Sequence, residues 1–237
     1  RQHLPRRDGA RRCHNGAVSR PAQKLSSGLT VRNLGLQDYE PLWRAMQRFT
    51  DSRTAETADE IWFTEHPSVF TLGINAKREH LLATGDIPIV QIDRGGQVTY
   101  HGPGMLMIYP LIDLKRLGLG VRDLVTALEQ SVVDLAAGYG IDAKARPDAP
   151  GVYAGDSKFA SVGLRIRRGA SYHGMALNVS VDLEPFLRIN PCGYAGLEMT
   201  DLATLGGDST LDAVRDKLLP HFLKHLRLQD ADIVTGG

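Results

Sequence analysis

The sequence predicts a single α+β domain, a mixed β-sheet flanked by helices. Three observations carry this. The chain has 237 residues, enough to bury a sizeable core without having to divide. Hydrophobic residues make up 42% and charged residues 23%, the balance of an ordinary globular protein. Its period-two segments come in groups around two or three helical ones.

The elements follow in order. "GLTVRNLG" reads as a short strand. "DYEPLWRAMQRFT" places Leu42, Ala45, Met46 and Phe49 on one helical face, with Asp38 near its start. "EIWFTEHPSVFTLG" is β-rich and closes on Gly73. "IPIVQIDRGG" is a strand running into a glycine turn. "MLMIYPLIDL" is another, in which Pro110 predicts an edge position or a bulge. "VRDLVTALEQSVVDLAAGYG" is an amphipathic helix with Leu124, Leu128 and Leu135 inward. "GVYAGDSKFASVGLRIRRGASYHGMALNVSVDL" reads as a hairpin turning at "RRGA", where Gly169 can take positive φ. "STLDAVRDKLLPHFLKHLRL" is the last helix, capped by Ser209 or Thr210 and kinked or split at Pro220.

Residues 1–28 lack periodicity and read as a disordered basic tail before a folded domain over 29–237. The tail carries six Arg and one Lys against one Asp, about +6, so with a net charge of +1 the remainder is about −5. Its Arg-rich, acid-poor composition is weakly transit-peptide-like. A mildly acidic body suits a small-molecule or protein substrate better than a nucleic acid. No apolar run approaches the roughly 20 residues a membrane helix needs. Two cysteines, Cys13 and Cys192, far apart in unlike contexts, point to a reducing, cytoplasmic compartment and not to a disulfide framework.

Four polar clusters stand out. "RGGQVTYHGPG", from Arg94 to Gly104, holds four glycines and a proline in eleven residues. That costs backbone entropy which a plain connection does not need, and it lets backbone approach a ligand. The pattern is not a phosphate loop, for the Gly-Lys-Ser/Thr ending is missing. In "DSKFASVGLRI", unbroken alternation puts Lys158 in parity with Ala160, Val162, Leu164 and Ile166. An ammonium there needs a lowered pKa, an anionic partner or a route to water. The same parity puts His173 with Met175, Leu177 and Val179 on the inner face of the returning strand. Cys192 stands between Pro191 and Gly193 with Gly196 close behind. Such a turn can aim a side chain outward and leave backbone N–H groups free for an oxyanion. A lone cysteine is otherwise a small buried filler. A zinc site from Cys192, His101 and His173 lacks paired ligand spacing.

Together "DRGGQVTYHGPG", "DAPGVY", "SKFASVGLRI", "YHGMALNV" and "INPCGYAGLEMT" make the chain resemble the lipoyl(octanoyl) transferase family over about residues 29–230. The resemblance implies a fold shared with biotin– and lipoate–protein ligases. It implies transfer of an octanoyl group from octanoyl-acyl carrier protein to a lysine of lipoyl domains, those of 2-oxoacid dehydrogenase E2 subunits and the glycine cleavage H protein. No cofactor, nucleic acid or membrane is implied, and monomer is the default state. Cys192 matches the acyl-accepting cysteine and Lys158 the lysine that lowers its pKa. Arg94, Gly95, Gly96, Gln97, Val98, Thr99, Tyr100 and His101 match a substrate-contacting stretch. So do Ser161, Val162 and Gly163, and Gly174, Met175 and Ala176. His173 is implied as an active-site wall residue. Met105 and Ser68 depart from the residues common in relatives, Gln and Pro. The alternatives are an ATP-dependent lipoate–protein ligase of the same fold, which needs no cysteine, and a non-catalytic module that binds carrier or lipoyl domains.

Overall fold

The computed structural model describes residues 28–228 and the backbone of 233–236. The basic tail, with Cys13, lies outside the described residues. Strand β1 (Leu29–Leu36) leads into helix α1 (Tyr39–Asp51). Strands β2 (Asp59–Glu65), β3 (Val69–Leu72), β4 (Ile89–Gln91), β5 (Val98–His101) and β6 (Met105–Leu111) follow. Next come the short α2 (Leu114–Leu117) and α3 (Val121–Gly138), then β7 (Ala143–Ala145), β8 (Gly151–Ala154), β9 (Ser157–Arg167) and β10 (Ala170–Asn178). Helix α4 (Leu211–Leu226) and β11 (Ile233–Gly236) end the order.

Eight strands form one mixed sheet in the order β11-β1-β2-β6-β10-β9-β8-β7. Strand β1 runs parallel to β2 and β11, and the other neighbours pair antiparallel. A smaller sheet, β4-β3-β5, lies apart from it. The fold is thus the predicted α+β domain with a mixed sheet. On one face of the large sheet, Leu124, Leu128 and Leu135 of α3 and Val214, Leu218 and Phe222 of α4 pack on Ile61, Phe63, Leu106, Ile108 and Leu177. On the other, Tyr39, Leu42, Trp43 and Met46 of α1 and Val69, Phe70, Val98 and Tyr100 of the small sheet cover Trp62, Met107, Tyr109 and Tyr172. Removing this apolar area from water on both faces is the main force holding the layers together.

Two proline expectations are narrowed by the structure. Pro110 is not on an edge: β6 lies between β2 and β10, with Ile61 opposite Pro110 on one side. The irregularity falls on the partner strand. The β6–β10 ladder stops at Met175↔Ile108 and resumes in the same register at Ala170↔Asp113. His173 stands opposite Pro110 in that gap and takes φ 56°. Pro110 cannot donate to the ladder, so the strand facing it is free to turn. Pro220 does not split α4, which runs from Leu211 to Leu226 with Pro220 on its exposed side. Thr210 occupies the cap position without a side-chain hydrogen bond. At the predicted hairpin turn both Arg168 (φ 53°) and Gly169 (φ 85°) are left-handed, the backbone that matches strand twist in a two-residue loop.

Candidate active site

Cys192 occupies a tight turn, Pro191–Gly193, and is itself left-handed at φ 57°, ψ 14°. A side chain in that region costs about 1–2 kcal/mol and persists only where its surroundings impose it. The turn is fastened on both sides. Before it, the Asn190 N–H donates to the His80 carbonyl at 2.9 Å. After it, the chain zips onto the backbone of Lys158: Lys158 N–H donates to Glu198 O and Thr200 N–H to Lys158 O, both at 2.9 Å. Of the N–H groups around the cysteine, two are not free for an oxyanion. Gly193 N–H is held by Asn190 O and Tyr194 N–H by Pro191 O, each at 3.0 Å.

Lys158 is 2% exposed. It does not stand in the apolar row predicted for it. The β8–β9 register slips between Val152↔Ala160 and Tyr153↔Lys158, a β-bulge that adds Phe159. Ala160, Val162, Leu164 and Ile166 keep the face packed by the helices, and Phe159 joins that core. The extra residue reverses the parity before it, so Lys158 sides with Tyr153, its Nζ 5.3 Å from the ring centre. Nζ donates to Pro150 O at 2.7 Å and lies 3.3 Å from Cys192 Sγ. A buried ammonium needs such acceptors.

His173 also leaves its predicted row. Its positive φ turns the ring away from Met175, Leu177 and Val179, which face the helices. The ring instead stacks on Trp43 and Tyr172. Its Nε2 bonds Asp93 Oδ1 at 2.9 Å, and Asp93 also accepts from Trp43 Nε1 (2.8 Å), Gln47 Nε2 (3.1 Å) and the Tyr172 hydroxyl (2.5 Å). Burial alone would raise the Asp93 carboxyl, but these hydrogen bonds outweigh it and hold the group well below the usual carboxylate range. Burial lowers the pKa of His173, with Asp93 opposing.

The glycine-rich stretch is organised by its first residue. The buried Arg94 guanidinium donates to the carbonyls of Thr71, Gly95 and Gln97, each at 2.9 Å, and to Thr71 Oγ1 at 3.0 Å. It curls the loop around itself. Gly73 lies under the curl, where a Cβ would come within 2.3 Å of Gly96 O. Alternation along β5 then sorts the rest. Tyr100 points away from the cavity to Phe70, Phe186 and the Ser68 hydroxyl. Thr99 and His101 face the cavity. His101 Nε2 bonds Thr71 Oγ1 at 3.0 Å and its ring stacks on Tyr39. Burial, then repulsion from His66 and Arg94, drives its pKa well below the ordinary value. His101, His173 and Cys192 are therefore tied to separate partners, and among the described residues no group of three or more His, Cys, Asp or Glu is placed to hold a metal.

These parts enclose a cavity of about 330 Å³, within the usual range for small-molecule sites. Of the residues singled out in the sequence, Cys192, Lys158, Arg94 to Thr99, His101, Ser161 to Gly163 and His173 to Ala176 line it, and Tyr100 does not. Sequence reading passed over Tyr39, Met107 and Tyr109 on the wall and Asp93 behind His173. The aromatic and Met residues look like plain core in a periodic pattern. Only Asp93, a carboxylate directly before "RGG", carried a local signal.

Residues 38–223 match the family model of the lipoyl protein ligase A/B catalytic domain. The chain is 58% identical over 213 residues to an octanoyltransferase of Pseudomonas putida, covering 90% of this chain and 99% of the relative. It is 61% identical over 196 residues to an octanoyltransferase of Hahella chejuensis, covering 83% and 88%. Among solved structures, a putative lipoate protein ligase from T. acidophilum superposes with a TM-score of 0.70 at 16% identity, covering 88% of this chain and 89% of that one. Biotin protein ligase from Aquifex aeolicus superposes at 0.51 with 14% identity, covering 84% and 70%. At such identities the two ligases speak for the fold alone.

Proposed function

The chain belongs to the lipoyl protein ligase A/B catalytic family, among its octanoyltransferases, and from that premise we propose that it works through an octanoyl thioester on Cys192. It is an acyltransferase that transfers octanoyl groups in protein lipoylation. The donor in this reading is octanoyl-acyl carrier protein, the acceptor a lipoyl-domain lysine, and the enzyme a cytoplasmic monomer with its catalytic domain in residues 29–237. The observation that carries the mechanism is the 3.3 Å contact between Lys158 Nζ and Cys192 Sγ.

The thiolate is the competent nucleophile, and a free thiol is largely protonated at neutral pH. In water an amine outcompetes a thiolate for a proton by roughly two pKa units. Lys158 takes the Cys192 proton, and the thiolate–ammonium pair offsets part of the cost of burying both charges. The thiolate attacks the donor thioester carbonyl. The tetrahedral intermediate then expels the carrier thiolate, which leaves as a thiol with the proton from Lys158. The acceptor amine next attacks the acyl-cysteine and gives its proton to Lys158. An amide forms and the Cys192 thiolate departs. One thioester replaces another in the first half, so it is reversible, and amide formation drives the second.

An ATP-dependent ligase is the less supported alternative, since the relatives at 56–61% identity are octanoyltransferases. Intact-protein mass spectrometry after mixing with octanoyl-carrier protein, without ATP or acceptor, tests the reading. The expected result is a gain of one octanoyl group, removed by hydroxylamine and missing in Cys192→Ser. Transfer that needs free acid and ATP and survives Cys192→Ser would overturn it.

A further inference from the structure

Lys158 has no salt bridge to a carboxylate among the described residues; its nearest acceptor is the neutral Pro150 carbonyl at 2.7 Å. A carboxylate nevertheless stands one peptide away. The Pro150–Gly151 peptide turns its C=O to Lys158 and its N–H to Glu129 of α3, whose Oε1 accepts at 2.7 Å. Glu129 is buried. Burial raises its pKa, while the Gly151 N–H and the charge of Lys158 oppose the rise. The alignment carboxylate, N–H, C=O, ammonium runs through a single peptide unit. Hydrogen bonds in such a chain polarise one another, and more so where water is excluded. A negative charge at the N–H end makes the carbonyl a better acceptor for the cation at the other.

The local sequence is shaped for this relay. Gly151 has φ 132°, and a Cβ on it would stand 2.4 Å from Lys158 Cε and 2.3 Å from Ala160 O. Only glycine lets the peptide lie against the lysine stem. The other ionisable groups around the pair are the Cys192 thiol, the Tyr153 ring and Arg146 stacked on that ring, with Arg94 acting on Cys192 from across the cavity.

We propose that Glu129 is a positioning residue: through the Pro150–Gly151 peptide its carboxylate keeps Lys158 charged and aimed at Cys192, favouring the reactive thiolate. This rests on the Cys192–Lys158 reading above. The test is the rate of Cys192 alkylation by iodoacetamide from pH 5.5 to 10, read by peptide mass spectrometry so that Cys13 does not interfere. Glu129→Gln keeps an acceptor for Gly151 and removes the charge. Its reaction midpoint is expected to rise by about half to one unit, slowing alkylation at pH 7 about three- to tenfold, with the curves converging at high pH. Glu129→Asp, which keeps the charge, is expected to return toward wild type. A Glu129→Gln profile that overlays wild type while Lys158→Ala shifts upward overturns the role of Glu129 and leaves the Cys–Lys pair standing. If neither variant shifts, both readings fall. A Glu129→Asp profile equal to that of Glu129→Gln would show that charge is not what Glu129 supplies, and would also overturn the proposal.

Discussion

The two faces of the large sheet are built on different principles. The face under α3 and α4 buries Leu, Ile, Val, Phe and Ala side chains against one another. The face under α1 and the small sheet buries Trp43, Phe70 and Met107, but also His66, Thr71, Arg94, His101 and His173. There each polar group must find a partner, and several are incompletely served: Arg94 Nε, His101 Nδ1 and His173 Nδ1 are buried without one. An unmet buried polar atom costs about 1–3 kcal/mol. Area holds the first face together. The second gives up some of that stability to keep charge and hydrogen-bonding capacity beside a cavity.

The sharpest break of this contrast is at Lys158. Lys158→Ala is expected to lower octanoyl transfer about 10²- to 10⁴-fold, the range of a lost acid–base group. Its thermal melt should show a folded protein, since the core under α3 and α4 is untouched. Activity within tenfold of wild type would remove Lys158 from the proton transfers.

The opposite break is Leu128→Ala, on the helix face. Leu128 is fully enclosed in that core. The expected loss is about 2–5 kcal/mol of stability in urea unfolding. The pH profile of Cys192 alkylation should stay where it is. A shifted profile would mean that apolar packing under α3, and not only the Glu129 carboxylate, sets the chemistry.

A finer test uses pH. Burial lowers the pKa of His66 from 6.5 to about 4, with its ring nitrogens committed to Gln37 O and the Tyr109 hydroxyl. Below pH 6.5 the unfolded chain takes up a proton that the folded His66 refuses. Stability therefore falls as pH drops from about 6.5 toward 4, by about 2 kcal/mol at pH 5 for this residue. His66→Gln is expected to be less stable at pH 7 but to lose less on going to pH 5. Leu128→Ala should keep the full wild-type slope. Equal slopes in all three proteins would show that His66 is not held neutral by burial.

Much of this organisation was legible in the chain itself. The 3.6 spacing of Leu124, Leu128 and Leu135 is enough to orient α3, because a helix with one apolar stripe has one way to bury it. The "RRGA" turn marks its hairpin because Gly169 can take the positive φ a tight reversal needs, while the left-handed Arg168 beside it emerged only in the structure. The motifs around Arg94, Lys158, His173 and Cys192 marked out most of the cavity wall, because glycine-rich polar runs are costly unless backbone must approach something.

What the sequence could not settle is where alternation breaks. Parity put Lys158 with Ala160 and His173 with Met175, on the helix face. In the folded chain the extra residue Phe159 reverses one assignment and the left-handed φ of His173 reverses the other. Neither break has a local signature. The first depends on the register of β8, the second on Pro110 arriving opposite from β6, and both partners are distant in sequence. Composition and periodicity determined the elements and their apolar faces, since those follow from neighbours along the chain. The resemblance implied that Lys158 serves Cys192, but only the tertiary structure decided how Lys158 reaches it and that Glu129 stands one peptide behind, since those contacts exist only once separate strands and a helix have paired and packed.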